Sequence, residues 1–227
     1  MRRQVQKAIV IKRVSYGEAD RIVTVLLEDN TKRAVIAKGA RRIKSKLAAG
    51  IEPFSVSELT YSPGKGSIDL LISAKMISFY SGIIKDYDRS AAAYDCIAWI
   101  DKHVEDSSEE DYYTVLQATF ELFNMPAVTP ALASLFFQAK TLSLLGLEPD
   151  TSLQQDGSPL PEADSYTFDH AHAAFAPDPK GLITKNDIKL LRLLLTLDAR
   201  SAARITVEDD SVDRLGELIR RHFALMH

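Results

Sequence analysis

Ala8–Val14 (AIVIKRV), Ile22–Leu27 (IVTVLL), Arg33–Ala37 (RAVIA), Ser55–Tyr61 (SVSELTY) and Ile68–Ala74 (IDLLISA) are the five apolar runs whose reading decides the fold. They are short and rich in β-branched residues, the composition of strands on a pleated, half-buried surface. Two polar tetrads separate them as tight turns, Asp29-Asn30-Thr31-Lys32 after the second run and Pro63-Gly64-Lys65-Gly66 after the fourth. Five strands within about 75 residues would expose two long edges if left flat, and closure removes them. The expectation is a five-stranded OB-type barrel.

Beyond Phe79 the apolar period becomes helical, over Ala91–Val104, Tyr112–Phe123, Ala131–Leu145, Lys185–Leu197 and Val212–Met226. Thr129-Pro130 places a capping hydroxyl before a proline at the first helical position, Thr184 precedes Asp187 by three residues, and Gly146 closes the third helix. Residues 147–181 are rich in Pro, Asp, Ser and Gly and hold no sustained period, so an irregular insertion is expected there. The fold class is α+β, a barrel domain over residues 1–79 followed by a helical domain over residues 80–227.

At 227 residues, 46% hydrophobic and 26% charged, the composition is that of a globular protein and excludes collagenous, disordered and disulfide-scaffold classes. Ala131–Leu145 is the longest apolar stretch, and Gln138 and Lys140 interrupt it, so no membrane span is expected. Ala8–Ile11 is too short for a signal-peptide core. The lone cysteine, Cys96, can neither close an intrachain disulfide nor build a cysteine-rich zinc site. A reducing cytosol is the compartment expected from these facts, with no cofactor and no membrane partner.

A net charge of -3 conceals a division. Residues 1–80 hold 15 Lys and Arg against 7 Asp and Glu, whereas residues 81–227 hold 13 against 24. Such a field on the barrel suits a polyanionic partner. Its densest part is Lys38-Gly39-Ala40-Arg41-Arg42-Ile43-Lys44-Ser45-Lys46, five cations in nine residues directly after the third run. A solvated loop is the bland account; a phosphate-contacting segment is favoured because Gly39 permits close backbone approach and Arg13, Arg21, Lys32 and Arg33 lie on nearby strands. Lys65, in the turn before the fifth strand, is a weaker addition. Few aromatics accompany these cations, so base stacking is expected to be minor and binding to follow the backbone.

Catalytic signatures are missing: no Gly-x-Ser-x-Gly, Walker loop, His-Glu-x-x-His or dinucleotide glycine pattern occurs. Cys96, among Ala92, Ala93, Ile97 and Trp99, reads as a core residue, and His170 and His172 lack further ligands for a metal. A non-enzymatic nucleic-acid-binding protein is the reading. An OB-type RNA-binding or translation-associated factor, and a hydrolase with its acids in the irregular stretch, are the rivals.

Three linked segments resemble the RecO family of bacterial DNA repair and recombination mediators: Val14–Val23 (VSYGEADRIV), Ala37–Arg42 (AKGARR) and Leu47–Phe54, which ends in Glu52-Pro53-Phe54. The resemblance implies an OB barrel with a helical domain behind it, binding to single- and double-stranded DNA, strand annealing, and work with RecR in the RecFOR pathway to load RecA onto DNA coated by single-stranded DNA-binding protein. It also implies that the helical domain binds the acidic, apolar-ended tail of that coating protein. Residues 180–204 carry six cations against two acids, and Lys185, Lys189 and Arg192 fall near one helical face. With Phe136, Phe137 and Lys140 of an earlier helix they form the candidate tail site. Many relatives carry a four-cysteine zinc module near residues 146–181, where this chain has no cysteine. Packing by prolines and aspartates is expected in its stead.

Overall fold

In the computed structural model, residues 3–64, 66–104 and 108–226 are described. The chain divides into two compact units, residues 1–124 and 125–227.

In the first unit, β1 (Gln4–Tyr16), β2 (Asp20–Leu27), β3 (Lys32–Ala37), β4 (Ser55–Ser62) and β5 (Ile68–Phe79) close a barrel in the order β1-β2-β3-β5-β4. The pairs are antiparallel except β3 with β5, which run parallel with Ala34 opposite Ile68. Ala8, Val10, Val23, Val25, Leu27, Val35, Ala37, Leu59, Tyr61 and Leu71 fill the interior. The register of β1 against β2 shifts between Val10 and Lys12, leaving Ile11 as the extra residue. One such residue reverses the alternation of faces, and Arg13 then stands opposite Val23 at an interior position.

A 3-10 turn, Ala49–Ile51, packs against β4 and β5 and puts Ile51 into the barrel interior. Gly50 is required for this approach, because a Cβ there would stand 2.5 Å from the Ala74 carbonyl oxygen.

Ile9, Leu26 and Val56 face away from the interior in one register row, yet each is buried. Helices α1 (Ser81–Ile84), α2 (Tyr87–His103) and α3 (Tyr112–Asn124) belong to this unit and pack on the barrel. Phe54, held at φ +58, points its ring between Tyr94 of α2 at 4.7 Å and Phe120 of α3 at 5.5 Å. Asn30, in the turn between β2 and β3, takes φ +62 and accepts the Tyr113 N–H at 2.8 Å, which satisfies an otherwise open donor in the first turn of α3. The texture of the sequence changes at Phe79, while the compact unit continues to Asn124, because these side chains tie the first three helices to the strands.

The second unit holds α4 (Pro130–Leu144), β6 (Ser165–Asp169), β7 (Ala174–Pro177), β8 (Ile183–Thr184), α5 (Lys185–Thr196), α6 (Ala199–Ala202) and α7 (Asp209–Met226). The caps match the sequence signals: Thr129 accepts from Leu132 N–H, Thr184 and Asp187 form a reciprocal capping box, and Gly146 takes φ +66 just past α4. Helix α4 is apolar nearly all round and packs against α5 and α7.

The stretch expected to be irregular differs. It contains β6 and β7, which join β8 in a three-stranded sheet of order β7-β6-β8. Strands of two to five residues are too short to show a period against Pro- and Asp-rich surroundings.

Candidate nucleic-acid interface

The cationic segment leaves β3 at Ala37 and is fastened to the turn between β1 and β2. Gly17 adopts φ +56 in that turn. Asp20 accepts the Gly39 N–H at 2.7 Å, Ala19 O accepts the Arg41 N–H at 2.9 Å, and Arg41 Nη1 reaches Gly17 O at 3.1 Å. Two further turns follow, closed by Arg42 N–H to Gly39 O and by Ser45 N–H to Arg42 O. Ala40 is buried in the barrel core and Leu47 packs against it, so both flanks of the segment are anchored by apolar side chains. Lys38, Arg41, Arg42, Lys44 and Lys46 are all exposed, and none of them forms an ion pair among the described residues. The segment is therefore a shaped loop that presents five exposed cations, none of them in an ion pair among the described residues.

The other cations expected to help are scattered. Arg21 is the nearest, half-buried at the start of β2 and opposite Ala37. Arg13 turns away from solvent and pairs with Glu52 at 2.8 Å, with a further bond to Ile51 O. Lys32 donates to Asp101 O in the last turn of α2 at 2.9 Å, completing a carbonyl at the helix end. Arg33 is exposed but lies four residues from Ala37 at the opposite end of β3, about 13 Å away at strand spacing. Lys65 lies outside the described residues. Of the sequence candidates, the structure thus gathers the five loop cations with Arg21 and separates Arg13, Lys32 and Arg33 from them.

In the second unit the expected tail site is gathered only in part. Lys185, Lys189 and Arg192 line one groove with Leu160, Tyr166 and Ile188, a cavity of about 270 Å³. Arg192 already bonds Thr151 through its carbonyl and hydroxyl, and Lys185 faces Glu162 at 3.8 Å. Phe136 and Phe137 do not line it: they are 1% and 3% exposed, inside the unit, because α4 is buried on almost every side. Lys140 donates to Leu195 O at 2.7 Å and lies over the Phe136 ring, and burial lowers its pKa. These three residues hold the unit together.

Family models described as Recombination protein O N terminal and Recombination protein O C terminal match residues 1–80 and 84–225. The chain belongs to the RecO family. It is 31% identical over 217 residues to the DNA repair protein RecO of Heliobacterium modesticaldum, covering 88% of this chain and 77% of that protein. The DNA repair protein RecO of Staphylococcus epidermidis is 28% identical over 225 residues, covering 94% and 87%. That of Listeria monocytogenes serovar 1/2a is 27% identical over 224 residues, covering 96% and 87%. A role in DNA repair and recombination goes with this membership.

Two features of this RecO-family chain bear on metal and thiol chemistry. No group of three or more His, Cys, Asp or Glu is placed to hold a metal among the described residues. Rings knit the β6–β7 region instead: Phe168 lies 4.8 Å from Phe175, 4.9 Å from His170 and 5.4 Å from His222. The packing expected of prolines and aspartates is mainly aromatic. Cys96 is buried and burial pushes its thiol pKa well up, as suits a core side chain.

Sequence reasoning had no means to assign the partners that shape the RecO loop. The bond from Gly39 N–H to Asp20 spans 19 positions and exists only once β2 and β3 pair.

Proposed function

We propose that this protein is a non-enzymatic recombination mediator that holds the DNA backbone on the loop Lys38–Lys46. The observation that carries the reading is the loop itself: five exposed cations without an ion pair among the described residues, on a backbone tied to the β1–β2 turn. Fixed donors cost less ordering when a strand arrives, and phosphate contacts carry no base preference. Single and double strands are therefore both ligands, and strand annealing follows from neutralising two backbones at one place. Family membership supports the wider assignment, work with RecR and loading of RecA onto DNA coated by single-stranded DNA-binding protein.

The test is the salt dependence of binding. If each cation contacts a single-strand phosphate, replacing Arg41, Arg42 and Lys44 by Gln flattens the slope of log affinity against log salt by about 2, at about 0.7 per contact. An unchanged slope moves the DNA to another surface.

The groove of Lys185, Lys189 and Arg192 supports docking of the acidic tail of the coating protein, with cations for its carboxylates and Leu160, Tyr166 and Ile188 for its apolar end. Lys185→Glu with Lys189→Glu is expected to weaken binding of a tail peptide and leave DNA affinity nearly intact. Undiminished peptide affinity in the folded double variant would remove the groove as the docking site.

A further inference from the structure

Ile43 has the highest fractional exposure of the large apolar side chains among the described residues, with nothing in the protein shielding it. Its place is not incidental. The turn closed by Ser45 N–H to Arg42 O at 3.0 Å puts Ile43 and Lys44 at its two central positions, the apex of the cationic loop. The other apolar anchors of the segment, Ala40 and Leu47, point into the barrel core. One branched aliphatic side chain therefore stands alone at the tip, between exposed Arg41 and Arg42 on one side and Lys44 and Lys46 on the other.

We infer that Ile43 is a wedge that enters between neighbouring bases of the strand whose phosphates the flanking cations hold. This rests on the DNA-backbone reading above and adds a base contact to it. Isolated exposed apolar residues are ordinary on protein surfaces, so exposure alone decides nothing. What singles out Ile43 is that the surrounding cations bring a nucleic acid to the one place among the described residues where an aliphatic group is wholly solvated. Aliphatic side chains inserted at a base step partly unstack it, and the apolar faces of the bases cover the side chain in return. A β-branched side chain suits the task because it has few rotamers to lose. The contact is indifferent to sequence, since every base offers a flat face. Bases loosened in this way are presented to an incoming complementary strand.

An anionic lipid surface would also attract a cationic loop with an apolar tip. One isoleucine offers less buried area than a single myristoyl chain, which itself anchors only marginally, so the base stack is the better-matched occupant.

The experiment uses the full chain and a single-stranded oligonucleotide with 2-aminopurine inside an adenine run, whose fluorescence rises on unstacking. The wild type and Ile43→Leu are expected to raise the signal on binding, while Ile43→Ser loses the rise and binds about fivefold more weakly. Its salt slope stays that of the wild type, and its melting temperature is unchanged because the side chain touches nothing. A full rise with Ile43→Ser overturns the wedge while leaving backbone binding intact. An unchanged salt slope in the Arg41, Arg42 and Lys44 variant overturns the backbone reading itself, and the wedge with it. Loss of phosphatidylglycerol-vesicle binding by Ile43→Ser, with the DNA signal unaffected, overturns the wedge in favour of a lipid surface.

Discussion

Arg214 holds Asp187 with two donors: Nε reaches Oδ2 at 2.9 Å and Nη2 reaches Oδ1 at 3.0 Å, which joins α7 to the first turn of α5. Asp187 is fully buried, whereas the Arg214 side chain keeps 30% of its exposure. The same carboxylate accepts the Thr184 N–H at 2.8 Å, so one side chain serves a helix cap and an interhelical pair together.

Removing the arginine leaves a buried charge without its partner. Arg214→Ala is expected to destabilise the protein by about 3 kcal/mol, read from urea midpoints. Burial alone would raise the Asp187 pKa, but bonds from Arg214, Ser211 and Thr184 outweigh it and hold the carboxyl below its ordinary 3.8. Its contribution is thus complete above about pH 3.8 and fades as pH falls through the lower folded value. A loss of the Arg214 effect already between pH 7 and pH 5 would contradict this assignment.

His170 and His222 give acid sensitivity at a higher pH. Their rings stack at 5.6 Å, and the Nδ1 atoms of both are buried with no hydrogen-bond partner. Desolvation lowers both pKa values; His222 and Arg221 lower that of His170 further, and Asp169 opposes them. In the unfolded chain these rings take protons near pH 6.5, so stability falls as pH drops below about 6.5, until the folded rings are protonated too. Melting curves at pH 7.5 and 5.5 should differ less for His170→Phe, which keeps a ring beside Phe168 without a titrating nitrogen. An equal difference would place the acid sensitivity elsewhere.

Gly50 tests the closure of the barrel. Gly50→Ala directs a methyl group at the Ala74 carbonyl, a backbone atom that cannot swing aside, and is expected to cost about 1–3 kcal/mol. Gly66→Ala, where a Cβ meets nothing within 4 Å, serves as the control and should melt with the wild type.

Asp20 tests whether the cationic loop is preshaped. Asp20→Ala removes the acceptor for Gly39 N–H and, by freeing residues 38–46, is expected to hasten tryptic cleavage after Arg41 and Arg42. DNA affinity should fall even though a negative charge has been removed. Greater affinity and unaltered cleavage would show that charge, not shape, governs the loop.

The five strands, their order along the chain and the main helices were legible because each repeats a local period that needs no partner to be seen. Thr129 with Pro130, Thr184 with Asp187, and Gly146 were legible for the same reason: a cap satisfies backbone groups within three or four residues. The small sheet of β6, β7 and β8 was not, since its pairs are too short to carry a period. For the candidate interface, sequence picked out Lys38, Arg41, Arg42, Lys44 and Lys46 as one cluster, and the structure keeps them together on one anchored loop.

By itself, then, sequence determined the barrel, the helices behind it and the concentration of positive charge after Ala37, all properties of neighbouring residues. Tertiary structure decided which cations remain free. Arg13, Lys32, Lys140 and Arg192 read as equals of Arg42 in a sequence, but folding brings Glu52, Asp101 O, Leu195 O and Thr151 within reach of them. A charge left near buried acceptors is satisfied by them, because desolvating it unpaired costs more than the bond restrains. Lys38, Arg42, Lys44 and Lys46 escaped that fate because Ala40 and Leu47 anchor the flanks of the loop in the core and Asp20 holds its backbone in shape, leaving these side chains facing water.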